Sequence, residues 1–426
     1  MPEENSTTAA TGPALAGGFL DDPKLRKVLA ALDGSGEETR VVGGAVRNAL
    51  LGAPVTDIDL ATTAVPATTI ARAKRAGIRA VPTGIAHGTV TLVVEGTPFE
   101  VTTLREDIET DGRRATVRFG RDFVADALRR DFTINALSVG RDGTIFDYAG
   151  GLADLAERRI RFIGEPRARI REDYLRILRF LRFHAAFGEG PMDRAAFAAI
   201  VAERDGLALL SRERVRAELL KLVVAPRAAE VAADAAQAGL LGPLFGGVAY
   251  PARLGRYVAV EAGGGTSIDA LARLAALGVV IVEDAERLRE RLRLANDEAD
   301  RLARAAAALA DLHGRDRPPQ TSELRVLLFR HGRRASCDGL ALAQAESSAR
   351  PDDPAWLAAR HFLAAAPEPR LPVKGADFMA RGLPSGRAVG QALKRLQALW
   401  IRAGFPEDPA ELARLMDAAL AETDEG

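Results

Sequence analysis

TRVVGGAVRNALLGAPVTDIDLA, residues 39–61, is the stretch of sequence that decides the fold. Residues 39–42 predict a strand that runs into a pair of glycines, and residues 45–51 have the pattern of a short helix. A glycine pair between a strand and a helix lets a phosphate approach the backbone amides at the start of the helix. Gly43 and Gly44 are therefore candidate nucleotide-binding residues.

Two carboxylates, Asp57 and Asp59, end this stretch. On a strand, a spacing of two places both side chains on one face. Like charges so close repel each other unless a cation lies between them, and hard oxygen ligands suit Mg²⁺ bound together with substrate phosphates. A third carboxylate, Glu100, lies in an apolar, β-branched run, where a charge needs a partner or a metal. Taken alone, a D-x-D pattern is more often a solvated strand edge and Glu100 an outward-facing edge residue, so both alternatives stay open.

Local patterns predict mixed α and β structure in the first 150 residues and mostly helices beyond them. Residues 23–31 suit a helix capped by Asp22. Residues 89–94 and 97–104 predict a hairpin around Gly96. Residues 105–120 are charged and poorly periodic, which indicates a mobile loop. We interpret the glycine pair at 150–151 as a hinge before the helical part.

Composition limits the possible functions. The 426 residues suffice for several domains, and 58 basic and 58 acidic residues give no net charge. A uniformly basic nucleic-acid binder is thereby excluded, so contact with RNA needs local patches. The single cysteine excludes a disulfide framework and favours a reducing, cytoplasmic location. No apolar run approaches the ~20 residues of a membrane span, and residues 1–20 are predicted to be a disordered tail.

Several motifs together resemble one family. Gly43-Gly44 with Asp57-x-Asp59 is similar to the DNA polymerase beta-like nucleotidyltransferase superfamily. The later motifs resemble those of class II tRNA nucleotidyltransferases (CCA-adding) and bacterial poly(A) polymerases, and they are RRDFTINAL at 129–137, Asp147 with the glycines at 150–151 and Asp154, EDYLR at 172–176, and SRER at 211–214. The resemblance covers residues 39–222 and is weaker beyond them.

The resemblance implies a role for each residue of the site. Asp57 and Asp59 would hold Mg²⁺ as metal ligands, with Glu100 completing the catalytic set. The implied nucleotide-binding residues are Gly43, Gly44, Arg47, Arg130, Asp131, Asp173, Arg176 and Arg179. Within that set, Arg130 would contact the triphosphate and Asp131 the ribose 2′-hydroxyl.

The resemblance also implies that Asp173 and Arg176 read the incoming base. Because they are three residues apart on a predicted helix, we expect them to share one face. A carboxylate accepts a hydrogen bond from the amino group of C or A, and Arg donates to the ring acceptor beside it. G and U present a carbonyl oxygen at the amino position, which leaves two acceptors facing each other at a cost of about 1–3 kcal/mol. The alternative is a surface salt bridge of little energetic weight.

One position departs from the family pattern. The sequence after the glycine pair is usually GGAVRD in the family, and here it is GGAVRN, so that Asn48 follows Arg47. The negative charge beside Arg47 is therefore missing. Arg47 is then either freer to meet phosphate or paired elsewhere.

The predicted fold is an α+β N-terminal nucleotidyltransferase head with a small mixed β-sheet, followed by all-α neck, body and tail domains. The predicted boundaries are 1–20 for the disordered tail, 21–150 for the head, 151–225 for the neck, 226–330 for the body and 331–426 for the helical tail, which would bind tRNA. We give no individual tRNA contact in the helical half. The arginines at 287, 289, 291 and 293 are equally consistent with a solvated helix face.

The predicted function is template-independent addition of CCA to the 3′ end of tRNA from CTP and ATP, with the acceptor arm as the RNA contact, and no DNA or membrane partner. One alternative on the same fold is a poly(A) polymerase or an enzyme that adds only CC or only A. Another, from a different class, is an inert RNA-binding protein on a transferase scaffold, which predicts a lost metal ligand. Asp57, Asp59 and Glu100 are all present.

Overall fold

The computed structural model describes residues 10–11, 14–15, 17–107, 117–265 and 267–421. The chain divides into two compact units, with the division between Leu210 and Ser211. The first unit combines strands and helices, and the described part of the second contains helices without strands. The predicted mixture of an α+β head and a helical C-terminal part is confirmed.

The strands of the first unit build one eight-stranded mixed sheet and one two-stranded ribbon. They are β1 (Ala10–Thr11), β2 (Thr39–Val42), β3 (Asp59–Thr62), β4 (Arg79–Gly84), β5 (Thr89–Val94), β6 (Thr97–Thr103), β7 (Arg105–Asp107), β8 (Val117–Phe119), β9 (Ser138–Val139) and β10 (Ile145–Asp147). The sheet order is β1-β10-β9-β2-β3-β6-β5-β4. Neighbours are antiparallel except for β3 and β6, which are parallel.

The strand β3 begins two residues later than the pattern suggested. Asp59 is its first residue and pairs with Val42, the last residue of β2. Beyond Val42 the chain turns away at Gly43, where φ is +69°. Asp57 therefore has no strand residue opposite it, and it precedes β3 instead of lying within it.

The predicted hairpin is confirmed. β5 and β6 pair antiparallel over their whole length, from Thr89 with Thr102 to Val94 with Thr97. Glu95 and Gly96 both have positive φ, as the tight turn requires. Because β6 lies between β3 and β5, Glu100 is on an interior strand and not at the sheet edge.

The described part of the first unit contains eight α-helices. They are α1 (Pro23–Leu32), α2 (Gly44–Leu50), α3 (Pro66–Arg75), α4 (Phe123–Leu128), α5 (Gly151–Ala156), α6 (Pro166–Glu172), α7 (Leu175–Phe187) and α8 (Arg194–Ala202). Asp22 caps α1 as predicted, accepting a hydrogen bond of 2.8 Å from the Lys24 amide. A 3₁₀ helix, Arg204–Leu209, ends the unit.

The second unit is a succession of helices. They are α9 (Arg212–Val223), α10 (Ala228–Gln237), α11 (Gly242–Phe245), α12 (Pro251–Gly263), α13 (Ala270–Gly278), α14 (Val282–Leu292), α15 (Asn296–Ala310), α16 (Thr321–Glu346), α17 (Pro354–Ala365), α18 (Gly375–Ala380), α19 (Arg387–Arg402) and α20 (Pro409–Ala421). α16 is interrupted at Gly332, which has φ +74° and ψ 169°. Among the helices described, none has the length and apolar character needed to cross a membrane.

Two predictions of irregular structure were partly wrong. In the segment expected to be a disordered tail, the residues of β1 pair with β10. In the segment expected to be a loop, β7 and β8 pair with each other as an antiparallel ribbon. Backbone hydrogen bonds thus order part of both segments. Residues 1–9, 12–13 and 16 of the first segment and 108–116 of the second lie outside the described residues.

Candidate active site

A glycine turn opens the site at the end of β2. Gly43 has φ +69° and ψ −122°, a conformation that favours glycine, and its amide donates to the Leu137 carbonyl oxygen. A β-carbon on Gly43 would lie 3.0 Å from Nη1 of Arg130. The turn therefore brings the backbone at the start of α2 close to an arginine side chain, and any side chain at this position would separate them.

Two of the three acidic residues, Asp59 and Glu100, lie side by side in the sheet. Asp59 on β3 is paired with Glu100 on β6, and Asp57 lies two residues before Asp59. All three side chains are exposed. Surrounding protein and the negative charges of Glu100 and Asp57 raise the pKa of Asp59, and Arg130 partly opposes them. Burial is the largest cause of this shift, and the repulsion from Glu100 comes next.

These residues fit a hard divalent cation by their chemistry, since they offer only carboxylate oxygens beside a glycine turn. Within the described part of the chain, no three acidic, histidine or cysteine side chains stand close enough to form a ready-made metal group. Three like charges with nothing between them repel, so that separation is the expected arrangement of the side chains by themselves.

Arg47 is a buried cation whose hydrogen-bond acceptors are neutral amides. It is 8% exposed, donates 2.5 Å to Asn135 Oδ1, and donates through Nε and Nη2 to Asn48 Oδ1. Its guanidinium lies 4.1 Å from the centre of the Phe187 ring. Burial, followed by the charge of Arg182, lowers the pKa of Arg47 to about 10, and the group stays protonated at neutral pH.

The departure from the family pattern thus has a structural outcome. Asn48 accepts from Arg47 and donates to the Pro54 carbonyl oxygen at 3.1 Å. Arg47 forms no ion pair with any carboxylate in the described ranges. Asn48 therefore orients the guanidinium without neutralising it.

Arg130 and Asp131 do not pair with each other. Arg130 Nη2 lies 3.0 Å from Asp126, a buried carboxylate that also binds Arg129. Asp131 accepts from Arg179 at 2.6 and 2.8 Å and from Asn135 Nδ2 at 3.0 Å.

These contacts set the charge state of Asp131. Although burial acts to raise its pKa, the Arg179 guanidinium and the hydrogen bonds of Asn135 and Phe132 hold that pKa below the ordinary value. Asp131 is therefore a fixed anion tied to α7.

The prediction that Asp173 and Arg176 share a helix face was wrong. Asp173 lies between α6 and α7, with extended φ/ψ of −157° and 105°. Its carboxylate accepts from the Leu175 amide at 3.1 Å, so it caps the start of α7. Arg176 instead donates to Glu172 at 2.6 Å and to the Arg169 carbonyl oxygen at 2.7 Å.

The two residues nevertheless line one cleft of about 450 Å³ in the first unit. Its lining is Gly43, Gly44, Arg47, Asp59, Arg129, Arg130, Asp131, Asn135, Asp173, Arg176, Arg179 and Phe183. Nine of the eleven predicted site residues are in that lining, and Asp57 and Glu100 are not. Arg129, Asn135 and Phe183 were missed as site residues, although two of them lie in the RRDFTINAL motif itself.

Comparisons with known proteins agree with this geometry. A family model for the poly A polymerase head domain matches residues 39–161, and one for a probable RNA and SrmB-binding site of polymerase A matches residues 191–250. CCA tRNA nucleotidyltransferase 1, mitochondrial, of Mus musculus is 33% identical over 384 residues, which are 88% of this chain and 85% of that protein. The CCA-adding enzyme of Lacticaseibacillus paracasei is 45% identical over 203 residues, 47% of this chain and 49% of that enzyme.

Among solved structures, the Bacillus stearothermophilus CCA-adding enzyme in complex with CTP superposes with a TM-score of 0.74 and 29% identity. The match covers 95% of this chain and 98% of that one. The chain belongs to the class II CCA tRNA nucleotidyltransferase family. Enzymes of this family generally use divalent metals, in keeping with the carboxylate oxygens described above.

The family's D…GG…DL element, formed by Asp147, the glycines at 150–151 and Asp154, packs against the segment that carries Arg130 and Asp131. The Asp147 carboxylate accepts hydrogen bonds from three backbone amides, those of Ala149, Gly151 and Leu152. A β-carbon on Gly151 would lie 2.3 Å from the Thr133 carbonyl oxygen. Gly151 thus allows the chain to pack closely against the RRDFTINAL segment. We had expected the glycine pair to serve as a hinge instead.

A fully buried carboxylate completes this support. Asp154 is 0% exposed and accepts from Thr133 Oγ1 at 2.6 Å, Arg159 Nε at 2.7 Å and Arg161 Nε at 3.0 Å. A buried charge so fully paired fixes the backbone around Thr133. The segment that carries Arg130 and Asp131 is therefore held from both sides.

Proposed function

We propose that the chain adds CCA to the 3′ end of tRNA, without a nucleic-acid template, from CTP and ATP. The single observation that carries the proposal is the cleft in the first unit, in which a glycine turn, Asp59, several arginines and Asp173 with Arg176 face one space. A cleft with anionic ligands at one end and base-reading groups at the other suits a nucleoside triphosphate. Membership of the family supports the same substrate class.

In the proposed reaction the RNA 3′-oxygen forms a bond to the α-phosphorus, and the bond from that phosphorus to the bridging oxygen of the β-phosphate breaks. Pyrophosphate leaves, and no protein nucleophile is needed. Mg²⁺ held by Asp57 and Asp59 beside Glu100 would lower the pKa of the 3′-hydroxyl and neutralise triphosphate charge. The backbone of Gly43 and Gly44 would let the phosphates approach closely.

Cations of the cleft would bind the triphosphate. Arg47 forms no ion pair in the described ranges and its hydrogen-bond acceptors are neutral amides, so it would pair with an incoming anion. Arg130 lies beside the glycine turn and forms an ion pair with Asp126. Asp131, held by Arg179, would accept a hydrogen bond from the ribose 2′-hydroxyl.

Asp173 and Arg176 would select the base. Asp173 would accept from the amino group of C or A, and Arg176 would donate to the adjacent ring acceptor. A carbonyl oxygen of G or U in the same place would leave two acceptors unsatisfied, at about 1–3 kcal/mol. Arg176 is anchored by Glu172, and Asp173 by the start of α7, so both groups are held in position before a base arrives.

Nucleotide addition to tRNA transcripts that lack the 3′ CCA distinguishes the alternatives on this fold. We expect CTP alone to add two nucleotides, ATP to add one to a tRNA that ends in CC, and the mixture to add three. Long A-tails would identify a poly(A) polymerase, and arrest after CC with ATP present would identify a CC-adding enzyme. Addition of A alone would identify an A-adding enzyme.

The inert alternative predicts tRNA binding with no incorporation at all. The acidic residues are tested with the double variant Asp57→Asn, Asp59→Asn. Its control is Asp205→Asn, at a fully exposed carboxylate. Full activity of the double variant would show that the metal assignment is wrong.

We also propose a cytoplasmic location, supported by the single cysteine. The mouse and human relatives carry mitochondrial names, so an organellar location is the alternative. Fractionation of cells with an antibody to the protein separates the two. The division into disordered tail, head, neck, body and tail domains, with tRNA bound by the helical tail, stays part of the proposal.

A further inference from the structure

Arg169, on α6, joins two parts of the first unit that contribute side chains to the cleft. Its own side chain is 13% exposed and lies outside the described lining of the cleft. Nη2 donates 2.5 Å to the Arg129 carbonyl oxygen and also donates to that of Arg130. Nη1 donates to the two oxygens of Glu172 at 2.8 and 2.9 Å. One guanidinium thus contacts both the backbone before Asp131 and the carboxylate that ends α6.

Glu172 extends this connection to Arg176. The same carboxylate accepts from Nη1 of Arg176 at 2.6 Å, and that nitrogen also donates 2.7 Å to the Arg169 carbonyl oxygen. Two neighbouring guanidinium groups repel each other, and a carboxylate shared between them opposes that repulsion. Arg169 and Arg176 are therefore connected through the side chain of Glu172 and, directly, through the main chain.

The contact with Arg129 and Arg130 fixes the backbone at the end of a helix. Arg129 is the C-cap of α4, and carbonyl oxygens at a helix end have no amide of their own helix to accept from. Arg169 supplies a charged donor, which makes a stronger hydrogen bond than a neutral one. The direction in which the Arg130 side chain leaves the backbone therefore depends on Arg169.

The other two arginines of α6 have different surroundings. Arg167 and Arg171 are exposed, and they pair with Glu203 at 3.0 and 2.9 Å. At 100° per residue, Arg169 projects about 200° away from each of them, on the opposite side of the helix. Ion pairs at the surface contribute little to stability. The same helix thus offers a matched arginine, Arg167, whose contacts lie away from the cleft.

We propose that Arg169 is a positioning residue that couples base reading to triphosphate binding. The inference rests on the proposed function, which places the base at Asp173 and Arg176 and the triphosphate at Arg130. A base that accepts a hydrogen bond from Arg176 keeps Glu172 and Arg169 in the arrangement that orients Arg130. A base that cannot accept displaces the same row of contacts. Selection of C or A then acts on the placement of the triphosphate as well as on the affinity for the base.

The first test measures base preference in the full chain. Single-nucleotide incorporation of CTP and of UTP into tRNA lacking CCA is compared for the wild type, Arg169→Gln and Arg167→Gln. The ratio of the two kcat/KM values should fall about tenfold in Arg169→Gln, because Arg176 loses one of the groups that hold it. Arg167→Gln should keep the wild-type ratio. An unchanged ratio in Arg169→Gln would overturn the proposal.

The second test measures the phosphate side without a base. Inorganic tripolyphosphate is titrated into each protein in a calorimeter in the presence of Mg²⁺. Arg169→Gln should bind it about fivefold more weakly than the wild type, since the backbone that directs Arg130 is no longer held. Arg167→Gln should bind it as the wild type does. Equal affinities for Arg169→Gln and the wild type would show that Arg169 does not act on the triphosphate.

The third test separates coupling from a general loosening of the fold. If Arg169 acts on the base through Arg176, then Arg169→Gln should cause no further loss of base preference when Arg176→Gln is already present. Losses that multiply in the double variant would show independent effects and contradict the proposal.

The conservative variant Arg169→Lys covers the case in which Arg169→Gln does not fold. Lysine keeps the charge beside Glu172 but lacks the fork that reaches two acceptors at once. It should fold and should lose part of both the base preference and the tripolyphosphate affinity. Wild-type values of both would overturn the proposal. Incorporation by the wild type tests CCA addition separately, so failure of the proposed function and failure of the Arg169 coupling give different results.

Discussion

Asp59 and Glu100 stand opposite each other on β3 and β6, the one parallel pair of neighbours in the described sheet. Residues that are paired in register point to the same face of a sheet, so both carboxylates lie on one side. The crossover between the strands thus brings two carboxylates from separate parts of the chain to one point. Burial, followed by the negative charge of Glu100, raises the pKa of Asp59.

The first prediction is that Asp59→Asn abolishes nucleotide incorporation and leaves the fold intact. One like charge is removed beside Glu100 and Asp57, so the melting temperature without metal should stay the same or rise. Incorporation should fall at least about 10³-fold, since metal-stabilised charge is lost from the transition state. Chelation of divalent metal should inactivate the wild type, and Mg²⁺ should restore it. A melting temperature well below that of the wild type would contradict the repulsion.

The second prediction concerns base selection. Asp173→Asn replaces one acceptor oxygen by a donor NH₂, so a uracil carbonyl no longer has to face only acceptors. The preference for CTP over UTP in single-nucleotide incorporation should fall about tenfold or more. Asp205→Asn, at an exposed carboxylate, should keep the wild-type preference. An unchanged preference in Asp173→Asn would separate this residue from base reading.

The third prediction concerns Gly206, a residue outside the cleft. A β-carbon there would lie 2.0 Å from Cδ1 of Tyr174, whose ring packs on the Gly206 backbone beside Asp173. Gly206→Ala should push the ring and the start of α7, raising KM for CTP and ATP by about fivefold, or roughly 1 kcal/mol. Tyr174→Leu combined with Gly206→Ala should recover part of that loss. If the double variant is no better than Gly206→Ala, the ring contact is not the cause.

The fourth prediction is a stability difference between two glycines. Gly151→Ala would place a methyl group 2.3 Å from the Thr133 carbonyl oxygen and should cost about 2 kcal/mol or more in free energy of unfolding. Gly242→Ala has nothing within 4 Å and should be neutral or stabilising. Denaturant unfolding of both variants makes the comparison. Equal stabilities would show that the chain around Thr133 yields easily.

The fifth prediction is a pH dependence. Because the folded-state pKa of Asp131 lies below its unfolded value of about 3.9, its stabilising effect is fully present above that value. The effect is lost as pH falls through the folded-state pKa. Asp131→Asn should therefore lower the free energy of unfolding at pH 7 by about 1–3 kcal/mol, and the difference should shrink below pH of about 4. A constant difference down to pH 3 would rule out the Arg179 ion pair as its source.

Local chemistry made much of the fold predictable. The strand at residues 39–42, the turn at Gly43, the hairpin around Gly96 and the cap at Asp22 each follow from a few neighbouring residues. Their signals are the two-residue period of a strand, positive φ at glycine and a short acceptor before a helix.

Tertiary relationships were not predictable in the same way. Helical spacing suggested a continuous helix through Asp173, but capping by its own carboxylate ends α6 and begins α7 there. Asn135 was missed because its role is to join Asp131 to Arg47, residues that lie far apart in the sequence. The contacts of a side chain depend on how helices and strands pack in space, and sequence periodicity does not predict that packing.

The burial of Arg47 has a thermodynamic consequence. Its guanidinium is desolvated and repelled by Arg182 and Arg179, and Asp131 offsets only part of that cost, so the ligand-free protein is less stable than it would be with a carboxylate paired to Arg47. A triphosphate would supply that countercharge from outside the polypeptide. CTP and ATP then act as thermal stabilisers in addition to being reactants, and the increase in melting temperature should follow the logarithm of their concentration.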